Sequence, residues 1–214
     1  MKKLTRGKIN AFLAKYATEA RVLDIGAGGS EHLQFFPNRV TIDINPARNP
    51  QVVGDAQALP FPDESFDAVV CSEVFEHVPD LHAASSEMVR VLKPGGLIIL
   101  TARFAFPVHD APGDYWRVSP YALERLFSDL DEIVIEAETG PFGTIAVLLQ
   151  RIIFQADFKG GRVMKAVVYM LALVIQKMDW FIVRQYGDIA KKEPVTFLLS
   201  SGIYFSGRKK ATVF

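Results

Sequence analysis

Short apolar runs alternate with longer amphipathic stretches through the first two-thirds of the chain. Six of the runs have the length and composition of strands, and they cover residues 21–25, 39–43, 51–55, 66–71, 97–101 and 133–137. The helical period predicts helices over residues 81–92 and 119–130. Ser119 stands at the N-cap of the second helix and Pro120 at its first position. This alternation is typical of an α/β fold with a parallel sheet.

Residues 141–190 are more apolar than the rest and account for a mean hydropathy of +0.17. They predict a helical insertion ahead of a final strand, straight or bent, over residues 195–206. Residues 166–175 are ten apolar positions in a row, fewer than the 20 or so that a membrane-spanning helix needs. Three interpretations stay open: a lid on the sheet, a homodimer interface, or peripheral membrane contact. Trp180, Phe181 and Arg184 follow, an aromatic and basic mixture that suits a bilayer interface.

Together these elements predict one α/β domain over residues 1–214. The expected core is a Rossmann-like, seven-stranded and mostly parallel sheet with an antiparallel last strand. Helices should cover both faces of this sheet, and the insertion should precede the last strand.

Net charge and cysteine content indicate which classes of binding partner and which cellular compartment to expect. The 24 basic and 24 acidic side chains give no net charge, so no nucleic-acid partner is expected. A single cysteine, Cys71, fits a reducing compartment. Residues 1–20 contain no apolar core of a secretory leader. We therefore expect a cytoplasmic protein, at the inner face of the membrane if the insertion contacts lipid.

Glycines and acids follow the first three predicted strands. The run V-L-D-I-G-A-G-G-S over residues 22–30 places a glycine turn directly after a strand, where a backbone can approach a nucleotide. Asp43 ends the second strand, 19 positions after Asp24, where a carboxylate can bind two ribose hydroxyls. Asp55 ends the third strand and can accept from an exocyclic amine. The alternatives are a tight turn without a ligand and solvated loop aspartates.

Five motifs in a fixed order carry a family resemblance. The first is D-x-G-x-G at 24–28 and the second is Asp43. The other three are G-D-A-x-x-L-P-F-x-D-x-S-F-D at 54–67, S-E-V-F-E-H-V-P-D at 72–80 and L-K-P-G-G at 92–96. This set resembles class I S-adenosylmethionine-dependent methyltransferases, in the small-molecule branch known as type 11. The resemblance covers about residues 20–135 and the last strand. Ser30 replaces a third glycine that is frequent in the first loop.

The resemblance implies S-adenosylmethionine as the cofactor and a role for each matching residue. The methionine portion would contact Asp24, Gly26 and Gly28 at one side and Ser72 and Glu73 at the other. The ribose and adenine would contact four further residues, which are Asp43, Ile44, Asp55 and Ala56.

Two other functions are compatible with the same fold, a nicotinamide-dependent oxidoreductase and a binding module without catalysis. A nicotinamide-dependent oxidoreductase would carry G-x-G-x-x-G, but position 31 is Glu31 and no Tyr-x-x-x-Lys occurs. A binding module without catalysis would have no need to retain Asp24, Asp43 and Asp55. The function expected is therefore methyl transfer to an oxygen or nitrogen of a small or lipid-linked acceptor.

The acceptor is expected at residues 106–117, which follow the fifth strand. This loop contains H-x-x-P-x-D-Y-W-R-x-(S/T)-P, a pattern similar to one in bacterial methyltransferases of this branch. His109 is the expected general base, because imidazole titrates near neutral pH. The expected acceptor contacts are His77, Asp114, Tyr115, Trp116 and Arg117. The alternative is structural, with the two aromatics covering the sheet and Asp114 paired to Arg117; no metal-ligand spacing is recognised.

Overall fold

The structure is a computed structural model that describes residues 3–27, 32, 34–188, 190–195 and 197–211. Its helices are α1 (Arg6–Ala14), α2 (Leu81–Val91), α3 (Pro120–Leu126), α4 (Pro141–Gln155) and α5 (Gly161–Ile175). Its strands are β1 (Val22–Ile25), β2 (Arg39–Asp43), β3 (Val52–Val53), β4 (Phe66–Ser72), β5 (Leu92–Arg103), β6 (Leu130–Ala137), β7 (Tyr186–Asp188), β8 (Glu193–Pro194) and β9 (Gly202–Lys209). Short 3-10 turns occupy Pro46–Arg48, Phe75–His77 and Gln176–Phe181.

Seven strands form one sheet in the order β3-β2-β1-β4-β5-β9-β6. The pairs from β3 to β5 are parallel, and β9 runs antiparallel to both of its neighbours. The predicted Rossmann-like sheet with an antiparallel last strand is confirmed. The chain turns from one direction of the sheet to the other between β1 and β4. In open α/β sheets such a switch point is where ligands bind.

Alternate side chains of the strands pack on opposite faces of the sheet. Leu23 and Ile25 of β1 join the larger apolar cluster, which α2 and α3 cover with Met88 and Leu123. Val22 faces the other way, into a smaller cluster covered by α1. Helices therefore lie on both faces, as predicted, although the sequence analysis did not predict α1.

Several predicted boundaries were wrong, for identifiable reasons. The fifth strand begins at Leu92 instead of residue 97, because Leu92 already pairs with Phe66 and the next four residues bulge. The helix from Pro120 ends at Leu126, since Leu130 already pairs with β9. Its predicted N-cap is confirmed: the hydroxyl of Ser119 accepts from the amide of Ala122.

The predicted final strand over residues 195–206 is also corrected. The strand β9 begins at Gly202, and the preceding Ser200 and Ser201 are fully buried. Ser200 Oγ accepts from the Thr139 amide at 3.1 Å, and the Ser201 amide donates to Thr139 Oγ1 at 3.0 Å. These polar contacts turn the chain, so residues before them lie outside the sheet. Glu193–Pro194 pairs instead with β7 in a separate hairpin.

The insertion between β6 and β9 is helical, as predicted. The carboxylate of Asp179 accepts from the backbone amides of Phe142 and Gly143, at 2.8 and 3.0 Å. It therefore caps the first turn of α4 from 36 positions along the chain and fixes the 3-10 turn against that helix. Ala172 is the one residue of α5 that is buried. In the described part of the chain, no helix has the length and hydropathy needed to cross a membrane.

Candidate active site

A cavity of about 770 Å³ opens at the carboxyl edge of the parallel strands. One side of the cavity is lined by residues at the strand ends or directly after them, namely Ile25, Gly26, Asp43, Gly54, Glu73 and Arg103. The loop after β5 and the helix α4 line it on the other side, through Phe106, His109, Asp110, Gly113, Tyr115 and Arg151. The cavity thus lies at the switch point of the sheet, where the sequence predicted a nucleotide site.

Gly26 is required by the backbone at the base of this cavity. It has φ +71°, and a Cβ built on it would lie 2.1 Å from Cγ2 of Val74. Its amide donates to the Ile42 carbonyl at 2.7 Å, which ties the end of β1 to β2. A residue with a side chain would both strain this turn and collide with Val74. The glycine-turn prediction is therefore supported at this position, whereas Gly28 lies outside the described residues.

Asp43 and Asp55 line the same end of the cavity. Asp43 is buried; its Oδ1 accepts from the Asn45 amide at 2.8 Å and its Oδ2 lies 3.4 Å from the guanidinium of Arg48. Asp55 is fixed by the amide and side-chain nitrogen of Gln57, at 2.8 to 3.0 Å. Two more of the predicted cofactor residues, Ile44 and Ala56, line the cavity beside them, and Ile44 is 70% exposed.

Two predicted cofactor residues lie behind the cavity wall. Asp24 is 1% exposed, and its carboxylate lies 3.3 Å from Nδ1 of His32 and 3.5 Å from Nε of Arg39. The Ser72 hydroxyl bonds to Thr101 Oγ1 at 3.0 Å. Neither is among the described residues that line the cavity. Their predicted contacts with a cofactor therefore stay predictions.

Glu73 joins the centre of the cavity to a buried ionic network that the sequence analysis missed. Its backbone is in the left-handed region, at φ +56°, and its carboxylate pairs with Arg103. Arg103 also lies 3.1 Å from the carboxylate of Glu138, and its guanidinium stacks 4.3 Å from the ring centre of Phe106. Burial lowers the pKa of Arg103, which the Glu138 carboxylate opposes. A charged residue directly after the apolar run 97–102 was the signal available for Arg103.

The loop after β5 is folded around one ion pair. Arg117 holds both carboxylate oxygens of Asp114, each at 2.7 Å, and also donates to the carbonyls of Phe106 and Pro107. The Arg117 guanidinium holds the pKa of the Asp114 carboxyl well below its usual range. This pair is the one that the structural alternative anticipated. Neither side chain is among the described residues lining the cavity, so their predicted acceptor contacts stay predictions.

The two aromatic residues of the loop differ in position. Tyr115 lines the cavity and is 53% exposed, and its predicted contact with an acceptor stays a prediction. Trp116 is not among the described lining residues; its indole nitrogen donates to the carbonyl of Val78 at 2.9 Å. The amides of Tyr115 and Trp116 both donate to the carbonyl of Glu76. These bonds hold the loop against the Phe75–His77 turn.

Three residues meet where that loop contacts the turn. His77 and His109 line the cavity, and their rings are 4.9 Å apart. Glu76 lies behind them, fully buried, with Oε1 3.9 Å from Nε2 of His109. Burial raises the pKa of Glu76 to about 7 and lowers the pKa of His109. No metal-ligand spacing in the sequence indicated this cluster, because His109 reaches Glu76 and His77 only through the fold.

Comparison with known proteins fits this geometry. Residues 23–100 match the family model described as a methyltransferase domain. The predicted resemblance to class I methyltransferases is confirmed over these residues. The match covers β1 to most of β5, which are the five strands whose ends line the cavity, and it supports the expected cofactor, S-adenosylmethionine.

The methyltransferase domain is similar to proteins of several activities. A demethylmenaquinone methyltransferase of Corynebacterium efficiens is 49% identical over 59 residues, which are 28% of this chain and 25% of that protein. The chain therefore matches only about a quarter of the length of this relative. Among solved structures, a SAM-dependent methyltransferase from Archaeoglobus fulgidus has a TM-score of 0.60 at 17% identity, covering 96% of this chain and 93% of that one. The [4+2]-cyclase SpnF has the same TM-score and identity, covering 96% and 82%. At this identity both show the fold alone.

Proposed function

We propose that this protein transfers a methyl group from S-adenosylmethionine to a lipid-like acceptor. The observation that carries the proposal is the arrangement of one continuous cavity. Asp43 and Asp55 line one end of it, and Glu73 follows β4. His77 of the Phe75–His77 turn and His109 of the loop after β5 line the other end. A nucleoside end and an acceptor end are what transfer from this cofactor requires.

The carboxylates suit the polar groups of the cofactor. Asp43 at the end of β2 is in position to accept from two ribose hydroxyls, and Asp55 from the adenine amine. Glu73, which lines the cavity and pairs with Arg103, is the acid proposed to face the sulfonium and amino group, where a negative charge is favourable. The exposed side chain of Ile44 offers an apolar surface for the adenine ring.

The histidine end suits an acceptor oxygen or nitrogen. Methyl transfer is an in-line displacement at carbon, so positioning the acceptor supplies much of the acceleration. His109 lines the cavity and is held by Asp114, whose Oδ2 accepts from the His109 amide at 2.8 Å. We propose that His109 receives the proton of the acceptor. His77 and Tyr115 are the proposed contacts for the rest of the acceptor.

An exposed apolar surface favours an acceptor carried on a lipid. We define the α5 surface by its exposed members, Val163, Val167, Met170, Leu171, Val174, Trp180, Phe181 and Val183. The five residues of α5 recur at helical spacing along one face, so the helix presents them together. A contiguous exposed apolar patch of this kind is typical of a surface that binds a membrane or another protein.

Charge favours an anionic bilayer as the occupant of the α5 surface. The helix α5 itself contains no acidic residue. Four exposed basic residues border the surface, namely Lys159, Arg162, Lys177 and Arg184. Basic residues beside an apolar helical face are typical of helices that lie in the bilayer interface. We propose peripheral membrane contact here, with the homodimer and the lid as the outcomes that would replace it.

Cofactor binding is the first test. Calorimetry should detect S-adenosylmethionine and S-adenosylhomocysteine with wild type, and Asp43→Ala should weaken binding about 5- to 150-fold, because two hydroxyls lose a buried acceptor. Asp129→Ala, at an exposed position far from the cavity, is the matched control. Unchanged affinity in folded Asp43→Ala would contradict the assignment.

Methyl transfer is the second test. Transfer of labelled methyl from S-adenosylmethionine is measured with demethylmenaquinol in detergent and with a total lipid extract. His109→Gln should reduce turnover at least about 100-fold with cofactor affinity unchanged. Cofactor binding without transfer to either preparation would favour a binding module, or a non-methylating activity such as the cyclase fold relative has.

A further inference from the structure

We propose that Glu76, His77 and His109 form a binding site for a divalent transition-metal ion at the acceptor end of the cavity. Each residue offers one ligand atom, and these atoms lie within 4.8 Å of one another. Two imidazoles and a carboxylate are a frequent ligand set for Zn²⁺, Co²⁺ and Fe²⁺. Binding would draw the three atoms to about 3.3 Å apart, the separation that tetrahedral bonds of about 2.0 Å impose.

The buried carboxylate of Glu76 indicates a bound cation. Its side chain is fully buried, and neither carboxylate oxygen has a hydrogen-bond partner among the described residues. A buried carboxylate without a partner is costly, whereas a bound cation or a proton satisfies it. Its backbone carbonyl is already occupied by the amides of Tyr115 and Trp116, so the residue is held rigidly in place.

Both histidines have the environment of metal ligands. Nδ1 of His77 lies 2.6 Å from the carbonyl of Gly113, which can only accept, so this nitrogen carries the proton. In metal sites a carbonyl or carboxylate usually orients the second ring nitrogen in this way, so Nε2 of His77 stays available for a cation. Nδ1 of His109 lies 3.3 Å from Oδ2 of Asp114 and has no hydrogen-bond partner among the described residues. Nε2 of His109 lies 3.9 Å from Oε1 of Glu76.

The position of the site gives the cation access to a substrate. His77 and His109 line the cavity, whereas Glu76 lies behind them. Three protein ligands leave a coordination position for another group, as in catalytic metal sites. An acceptor oxygen bound there would release its proton to solvent more readily, and His109 would then be a ligand of the cation and not the base. This last point rests on the proposed function, while cation binding itself does not.

Metal titration of the full chain is the test. Protein stripped with a chelator is titrated with Co²⁺, which reports ligation by visible absorption, and with Zn²⁺ by calorimetry. Wild type should bind one ion per chain, and Glu76→Gln and His109→Gln should each weaken binding at least about 30-fold. His82→Gln is the matched control, since His82 is exposed on α2. Affinity for S-adenosylhomocysteine, measured on each variant, verifies that the cavity is intact.

Two results would overturn the site: no ion bound by wild type, or equal affinity in Glu76→Gln that retains cofactor binding. Ion binding without methyl transfer supports the site and contradicts the proposed function. Methyl transfer that chelation does not reduce, in protein that binds no added ion, supports the proposed function and contradicts the site. The two proposals therefore fail separately.

Discussion

The guanidinium of Arg117 forms a two-bond ion pair with the carboxylate of Asp114, and both nitrogen–oxygen distances are 2.7 Å. The same guanidinium closes the loop by donating to the carbonyls of Phe106 and Pro107. Asp114 in turn accepts from the amide of His109. The position of His109 in the cavity is thus set by an ion pair that does not itself line the cavity.

Replacing Arg117 with lysine should distinguish the effect of its positive charge from the effect of its planar hydrogen-bonding geometry. Lysine keeps the positive charge but lacks the planar fork that binds both oxygens and two carbonyls together. We expect Arg117→Lys to reduce turnover at least about tenfold, because His109 loses its fixed position, while cofactor affinity stays unchanged. Methyl-transfer kinetics and calorimetry measure the two quantities. Arg125→Lys, exposed on α3, is the control, and equal turnover in both variants would contradict this role.

Arg103 should be essential for stability because of Glu138. The two side chains are 9% and 1% exposed, and Glu138 also accepts from Ser201 and Tyr204. Removing only the cation leaves a buried uncompensated carboxylate, which costs about 3–5 kcal/mol. We expect this loss in Arg103→Met by urea unfolding, and a substantial recovery when Glu138→Gln is added. A loss below about 1 kcal/mol would show that the pair is not needed.

Glu87, near the edge of the sheet, should make the free energy of unfolding depend on pH. Its hydrogen bond with Arg90 lowers the pKa of Glu87, and its Oε2 accepts from the Leu59 amide at 2.7 Å. Arg90 binds the carbonyls of Leu59 and Phe61, so the pair fixes the segment between β3 and β4. Because the pKa is lower in the folded protein, the contribution is complete above about pH 5 and is lost as the pH falls through the folded-state pKa.

The comparison of Glu87→Gln with wild type tests this dependence. The variant should be less stable by about 1–2 kcal/mol at pH 7, and the difference should shrink toward pH 3. Urea unfolding at both pH values measures it, with the exposed Glu124→Gln as the control. A difference that stays constant with pH would contradict the assigned cause.

The α5 surface should bind anionic vesicles. Leu171 and Val174 are 50% and 61% exposed, so two glutamates can be introduced there without entering the core. Wild type should float with anionic liposomes, and Leu171→Glu plus Val174→Glu should remain in the soluble fraction. Asn38→Glu plus Ser128→Glu adds the same charge at exposed positions elsewhere and should float like wild type.

Failure of wild type to float would remove the membrane interpretation. Sedimentation of the same proteins then distinguishes the remaining ones. If wild type is a dimer and the α5 double variant is a monomer, the surface is assigned to a second copy of the chain. Monomers in both cases would leave the surface without a lipid or protein role.

Local pattern is enough to predict the parallel strands of the fold. The runs at 22–25, 39–43 and 66–72 form strands whose apolar residues pack in the sheet, with β1 buried throughout and β2 buried only at Ile42 and Asp43. Gly26, Asp43 and Asp55 could be placed at one edge, since the carboxyl ends of parallel strands share that edge. The ordered motifs indicate the class of domain for a related reason: the first four lie at or after the ends of β1 to β4, and the fifth begins β5.

The residues at the acceptor end meet through contacts that no local pattern predicts. Glu76 and His109 are 33 positions apart, and no period or spacing relates them. They meet because amides of the later loop donate to the Glu76 carbonyl and because Arg117 and Asp114 fold that loop. Asp24 matched the motif, yet it pairs with His32 and Arg39 behind the cavity wall. A strand end follows from local pattern, whereas contacts between distant loops depend on burial and hydrogen bonding that form only when the chain is folded.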